Sequence, residues 1–190
     1  MPSDPVVLSF DTSAAHCAAA LLSGDRILAS RAEEMGRGQA ERLVPLLEEL
    51  LAEAGLGWGD LARIGVGIGP GNFTGIRISV AAARGLGLAL GIPVIGVSTF
   101  DAIAVDAPDR AVAVPAPRDQ VYLRPVGGSP DLVAMELAAD AAFPPAPAVL
   151  TEAIARHAAT AAAGGPPPAP LYIRPADAAP SRDAPPVILD

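Results

Sequence analysis

Residues 67–77 have the sequence GIGPGNFTGIR, and this stretch decides the fold. The apolar run 63–68 predicts a buried strand that enters it, and the run 76–90 predicts a helix that leaves it. A glycine-rich turn between a strand and a helix offers backbone N–H groups to an anion. The same glycines also suit a corner in which the backbone packs closely, and the sequence leaves both interpretations open. A Walker loop is excluded, because no Gly-Lys-Ser/Thr follows.

Upstream of this turn, strands give way to a helix. Val6–Phe10, Cys17–Leu22 and Ile27–Ala32 are apolar runs, and the last two are separated by the turn-forming residues 23–26. This spacing predicts a hairpin and, with the first run, a three-stranded antiparallel opening. Leucines then recur every three or four residues over 39–54, which predicts an amphipathic helix.

Downstream, a predicted strand over 93–97 completes an alternation of helices and parallel strands, which is typical of an α/β fold. After Asp101 the sequence becomes rich in Ala and Pro. We therefore expect a first lobe over 1–101 and a smaller second lobe over 102–190, whose C-terminal end is able to return to the first lobe. In the second lobe we expect strands near 112–114 and 120–125. We also expect a helix over Thr151–Ala163 with Thr151 as its cap.

Composition excludes several classes of protein. The chain has 190 residues, 13 of them Lys or Arg and 21 Asp or Glu, and a formal net charge of −8. All of the basic residues are arginines, which excludes lysine-dependent phosphate loops and Schiff-base catalysis. Such an acidic chain is poorly suited to binding a nucleic-acid backbone alone. The N-terminus lacks the basic region of a secretion signal, so we expect a cytoplasmic protein, and the arginines within 76–97 argue against a membrane span.

The sequence offers no metal site and no catalytic residue. Cys17 is the single cysteine and lies in a predicted buried strand, where a free thiol behaves as a small hydrophobe. His16 precedes it, but neighbouring strand side chains point to opposite faces, so His16 is poorly placed to activate the thiol. His157 is the only other histidine, and it is far away in the sequence.

Asp11, Thr12 and Ser13 end the first predicted strand and could contact a phosphate. Gly69, Gly71 and Thr74 of the glycine-rich turn complete this group of candidate nucleotide contacts. The alternative is that Asp11 and Thr12 satisfy local backbone donors, as such residues do in many turns.

The helix predicted over 76–90 has a surface of small residues. Gly85 and Gly87 lie inside it, and each interior glycine costs a helix about 1 kcal/mol relative to alanine. Such a cost suggests that something approaches the helix backbone closely. A partner helix and the chain's own sheet are both candidates, and they can act on opposite faces.

Taken together, these stretches resemble the TsaB family, the non-catalytic paralogue of TsaD. The resemblance rests on 8–13 (LSFDTS), 41–45 (ERLVP), 67–78 (GIGPGNFTGIRI) and 92–98 (IPVIGVS). It covers residues 6–105 well and returns near 118–122 and 170–178. It implies an actin-like α/β fold of the ribonuclease H-like type, with mixed sheets in two lobes, the second of which is reduced here.

The resemblance also implies a function. TsaB proteins are scaffolds for TsaD, which transfers a threonylcarbamoyl group to the adenosine beside a tRNA anticodon, and the ATPase TsaE joins them. It implies that the chain has no cofactor of its own and that ATP or ADP binds only at the interface of the complex with TsaD. It also implies that the chain contacts tRNA only through this complex. We expect helices 39–54 and 75–90 to bind TsaD, or a second copy of the chain when TsaD is absent. The candidate contact residues are Leu43, Leu47, Leu50, Ile76, Val80, Ala83 and Gly87.

The second lobe departs from the family pattern in two ways, and a second function stays open on the residues of the first lobe. Pro115-Ala116-Pro117-Arg118 stands where the family has Asp-Ala-Arg-Arg, and the second lobe is short, so a nucleotide role for that lobe is in doubt. The alternative function is a small actin-like ATPase or phosphotransferase that uses Asp11, Thr12 and the turn 69–75.

Overall fold

The computed structural model describes residues 4–162 and 164–173. Five strands form a mixed sheet in the order β3-β2-β1-β4-β5. They are β1 (Val6–Asp11), β2 (His16–Ser23), β3 (Arg26–Glu34), β4 (Leu61–Gly67) and β5 (Val94–Val97). The first three are antiparallel, β4 runs parallel to β1, and β5 runs parallel to β4. The predicted antiparallel opening and the parallel strands that follow it are therefore confirmed.

Helices cover both faces of this first sheet, and alternate residues of β1 contact the two layers. Leu8 and Phe10 pack with the leucines of α1 (Gln39–Glu53) and with Ala83 of α2 (Phe73–Leu90). Val7, between Leu8 and Val6 in the strand, packs in a second core with Ile154. Because strand side chains alternate, the odd-numbered residues of β1 belong to the second face.

The second face is covered by α4 (Pro147–Thr160), which contacts β1, β2 and β4. This helix begins four residues before the predicted start, with Pro147 in its first turn. Thr151 is therefore inside the helix and is not its cap, and its Oγ1 hydrogen-bonds to the carbonyl of Ala148 at 2.8 Å. The carbonyl of Thr151 accepts from Ser9 Oγ of β1 at 2.7 Å, which fixes the helix on the sheet.

A smaller sheet follows in the order β6-β7-β8. It contains β6 (Val112–Ala116), β7 (Gln120–Arg124) and β8 (Asp131–Ala134), and all of its pairings are antiparallel. The short helix α3 (Thr99–Ala104) joins the two sheets and packs on both α4 and β6. Two 3₁₀ turns, Trp58–Asp60 and Met135–Ala138, complete the regular structure of the described residues.

Ion pairs fasten α1 to the edge strand β3. Arg42 contacts Glu33 and Glu49 at 2.7 Å each, and Arg31 contacts Glu49 at 3.0 Å and Glu53 at 2.6 Å. Hydrogen bonds from Arg42 lower the pKa of both Glu33 and Glu49. The edge strand is thereby held to the helix that covers the sheet.

Helix α2 is capped and docked on the sheet. The side chain of Asn72 accepts a hydrogen bond from the Gly75 N–H at 3.0 Å, so Asn72 is the N-cap. Among the described helices, α2 alone has the length and apolar composition of a membrane span. Its buried residues, among them Ile76 and Val80, pack within the protein, and the remaining sides of the helix are partly or fully exposed.

The architecture confirms the expected fold class. A mixed sheet with helices on both faces and a reduced second sheet beside it is the α/β arrangement predicted for an actin-like chain. The edge between the two sheets, where β1 and β4 end, is where the candidate site residues collect.

Candidate functional site

A closed network of hydrogen bonds surrounds Asp11 at the end of β1. Its carboxylate oxygen Oδ2 accepts from the backbone N–H of Ser13 at 3.0 Å and from Ser13 Oγ at 2.8 Å. The same oxygen lies 2.8 Å from His16 Nε2, at the start of β2. The side chain of Asp11 is 1% exposed and that of His16 is 7% exposed. The antiparallel pairing of β1 and β2 brings this aspartate and histidine together.

All of the candidate nucleotide contacts except Thr74 meet in space, and each of these also has a packing partner in the chain. Thr12 Oγ1 donates to the carbonyl of Gly75 at 2.7 Å, and the carbonyl of Ser13 accepts from Asn72 N–H at 2.6 Å. A Cβ atom at Gly71 or Gly75 would overlap the carbonyl oxygen of Ser13 or Thr12. These glycines therefore allow the turn after β1 and the turn before α2 to pack backbone against backbone.

The two remaining glycines of the region, Gly67 and Gly69, also allow close packing, but against side chains. A Cβ atom at Gly67 would overlap Asp11 Oδ1, so this glycine allows the end of β4 to approach the second carboxylate oxygen. Gly69 has a φ of +92° and accepts a hydrogen bond from Thr99 N–H at 2.8 Å. Thr74 differs, because it is exposed and lines a separate cavity of about 370 Å³ beside Gly38. The structure thus gives Asp11 internal donors at one oxygen and close packing at the other.

The residues expected to bind a partner lie in the core. Leu43, Leu47, Leu50, Ile76, Val80 and Ala83 are each at most 4% exposed, and Gly87 is also buried. These side chains have no free surface in the folded chain, so the structure does not support them as individual contact residues. The reason is general: the apolar positions of an amphipathic helix are those that face its own sheet.

Gly85 and Gly87 illustrate the two faces of α2. A Cβ atom at Gly87 would overlap Val94 Cγ2 of β5, so this glycine lets the helix pack on its own sheet. A Cβ atom at Gly85 would meet no atom within 4 Å. Of the two explanations left open by the sequence, close packing on the sheet therefore applies to Gly87 and not to Gly85.

Gly85 belongs to an exposed strip that we call the α2 outer face, defined as Ala81, Gly85 and Leu88. All three residues are exposed, and their spacing of four and three places them on one side of the helix. Leu88 is 87% exposed, the highest value among the large hydrophobic residues of the described chain. Val44 of α1 is also exposed, at 41%. The outer face is thus small and apolar at its centre.

The described residues show neither a metal cluster nor a reactive thiol. No group of three or more His, Cys, Asp or Glu side chains is arranged to hold a metal ion within 4–162 and 164–173. Cys17 is fully buried, and desolvation together with the negative charge of Glu33 raises its pKa to about 11. A thiol with so high a pKa is a poor nucleophile at neutral pH.

The last described segment of the chain returns to the first lobe. Leu171 N–H donates to the carbonyl of Ile68, just beyond β4, at 2.8 Å. The ring of Tyr172 stacks on Phe73 with centroids 5.2 Å apart, and its hydroxyl accepts from Arg77 Nε at 2.9 Å. The family resemblance that returns near 170–178 was the signal of this contact in the sequence, and residues 174–178 lie outside the described range.

Comparison with known families now places the chain. A family model described as TsaD, tRNA N6-adenosine threonylcarbamoyltransferase, matches residues 27–159. An uncharacterized protein of Mycobacterium tuberculosis is 37% identical over 163 residues, which cover 80% of this chain and 74% of that protein. The tRNA threonylcarbamoyladenosine biosynthesis protein TsaB of Haemophilus influenzae is 32% identical over 127 residues, or 63% of this chain. The match spans 53% of that protein, about half its length.

Two solved structures have the same fold as this chain. A Pseudomonas aeruginosa protein described as similar to the peptidase YeaZ superimposes with a TM-score of 0.73 at 28% identity, covering 90% of this chain and all of that one. The structure titled YeaZ from Pseudomonas aeruginosa gives a TM-score of 0.57 at 35% identity, covering 74% of this chain and 68% of that one. With the quoted motifs, the family model and the shared fold in agreement, the chain belongs to the TsaB family of TsaD-like proteins.

Proposed function

We propose that this protein is a non-catalytic subunit in the synthesis of threonylcarbamoyladenosine in tRNA, and that it supports the transferase TsaD by binding it. The names of its TsaB relatives support the pathway. The carboxylate of Asp11 supports a non-catalytic role, since its Oδ2 is engaged by three hydrogen-bonding groups of the chain itself.

The observation that carries the proposal is the exposed α2 outer face. A leucine that is 87% exposed gains hydrophobic stabilisation only when another molecule covers it. Gly85 beside it leaves room for a second helix to approach the backbone, and nothing within the described chain uses that room. A helix of TsaD is the partner we propose for this face, in place of the buried residues considered from the sequence.

The rest of the assembly follows from the same proposal. TsaE and tRNA would join through the complex, with ATP or ADP at the complex interface, in the cytoplasm. Without TsaD, two copies of the chain would pair through the same outer face in a two-fold dimer, since a self-complementary patch suits such symmetry.

The test is co-expression of tagged Leu88→Arg with TsaD from the same organism, followed by affinity purification and a tRNA-modification assay. Burial of a leucine contributes about 1.5–3 kcal/mol, which corresponds to roughly 10- to 150-fold in affinity. We therefore expect Leu88→Arg to lose TsaD and the stimulation of modification. Leu137→Arg is the matched control, because Leu137 is 68% exposed but lies in the second lobe. Retention of TsaD by Leu88→Arg, or equal loss in both variants, would refute the proposed surface.

A further inference from the structure

A candidate for an unassigned site is a cavity between the two sheets. It has a volume of about 690 Å³, within the range of small-molecule pockets. Ser13 and His16 line it from the first lobe, and Val114 and Tyr122 line it from the second. Its walls are mostly apolar, and six of the lining residues are prolines: Pro70, Pro115, Pro117, Pro144, Pro145 and Pro147. Rigid proline rings beside a tyrosine form flat apolar surfaces.

His16 gives this cavity a specific polar point. Its Nε2 is engaged by Asp11 Oδ2 at 2.8 Å, which fixes the orientation of the ring. Its Nδ1 has no hydrogen-bond partner among the described residues. The described chain has no fully buried side-chain nitrogen or oxygen without a partner, so Nδ1 is not fully enclosed, and His16 is among the residues that line the cavity. When the neutral ring donates from Nε2 to Asp11, Nδ1 is an acceptor.

The charges around the cavity select the kind of ligand. Neither arginine nor lysine is among its described lining residues. The buried carboxylate of Asp11 lies directly behind His16, and the whole chain carries a net charge of −8. A phosphate group would therefore enter a mostly apolar site without a cationic partner, and burial of an unpaired charge is strongly unfavourable.

We propose that the cavity binds an uncharged, ring-bearing small molecule that donates a hydrogen bond to His16 Nδ1. The apolar walls hold the ring, the imidazole fixes its orientation, and the lack of basic residues among the described lining residues disfavours charged nucleotides. Asp11 acts as a positioning residue, because it orients His16 and does not itself touch the ligand. This site is separate from the α2 outer face and does not depend on binding of TsaD.

The test compares two probes that differ in charge. Adenosine is neutral, has a flat ring and offers N–H and O–H donors, whereas ATP adds only the charged phosphates. Calorimetric titration of the intact protein without Mg²⁺ should show adenosine binding at least about tenfold more tightly than ATP. Equal or tighter binding of ATP would overturn the proposal, and so would the absence of adenosine binding up to about 5 mM, where affinity becomes negligible.

Variants assign the binding to the cavity. His16→Leu removes the acceptor, and we expect adenosine to bind about five- to tenfold more weakly. His157→Leu is the matched control, because the other histidine lies on α4 and is not part of the cavity wall. If His16→Leu fails to show the native circular dichroism spectrum, Ala116→Trp, which places a large ring in the cavity, must abolish binding. Native-like binding by whichever of these two variants is folded would overturn the assignment.

Discussion

Two glycines in the same helix should respond in opposite ways to the same substitution. Replacement of either glycine by alanine in α2 gains helix propensity worth about 1 kcal/mol. At Gly85 the new methyl group meets no atom within 4 Å, so the gain remains. At Gly87 it overlaps Val94 Cγ2 and lies 3.3 Å from the carbonyl oxygen of Ile92. Overpacking of this kind costs about 1–3 kcal/mol.

Because the propensity gain is common to both variants, the difference between them isolates the packing cost. We therefore expect Gly85→Ala to be about 1–3 kcal/mol more stable than Gly87→Ala. In a chain of this size each kcal/mol shifts the midpoint of thermal unfolding by about 2–4 °C. Differential scanning calorimetry of the two variants and the wild type measures the shift directly. Equal midpoints for the two variants would mean that α2 does not approach β5 as closely as described, and the assignment of its two faces would fail.

Three further predictions concern the first lobe. Cys17 should resist iodoacetamide at about pH 8 in the folded protein and react after unfolding, because burial raises the pKa of its thiol to about 11. Rapid labelling of the native protein would contradict this prediction. Asp11→Ala leaves three buried donors without their acceptor, and each unsatisfied donor costs about 1–3 kcal/mol of stability. The midpoint of urea unfolding should therefore fall sharply. An unchanged midpoint would show that the network does not stabilise the protein. Hydrogen bonds from Arg42 lower the pKa of Glu33 and Glu49 below the ordinary value of 4.5. The stability that these ion pairs add to the folded state is therefore complete above pH 4.5 and is lost as the pH falls through the folded pKa values. The free energy of unfolding of Arg42→Ala should therefore fall less steeply with decreasing pH than that of the wild type. If the two curves of unfolding free energy against pH are parallel, the ion pairs do not stabilise the fold.

The sequence predicted the first lobe well because its signals are local. Continuous apolar runs in the sequence predicted β1 to β5. The leucines of 39–54 predicted the buried face of α1. The same periodicity misled the choice of interface residues such as Leu43. Apolar spacing identifies the side of a helix that is buried, and in this chain that side packs on its own sheet.

The candidate site was harder to predict because it depends on contacts between elements. His16 was considered only as the neighbour of Cys17, whereas its partner is Asp11, five residues earlier. A signal was available: Asp11 ends one strand and His16 begins the next, so an antiparallel pair, with Asp11 opposite Ala18, brings both to the same end of the sheet. The cavity itself had no sequence signal, because prolines from three separate segments of the chain contribute to its wall.

The position of α4 on the far side of the first sheet has a consequence for synthesis of the protein. The β1 strand leaves the ribosome early, but the helix that covers its odd-numbered side chains begins only at Pro147. At about 5–20 residues per second, a nascent chain spends several seconds with that layer bare. Chaperones that recognise exposed apolar strands therefore have a defined window in which to bind, and it closes when α4 emerges.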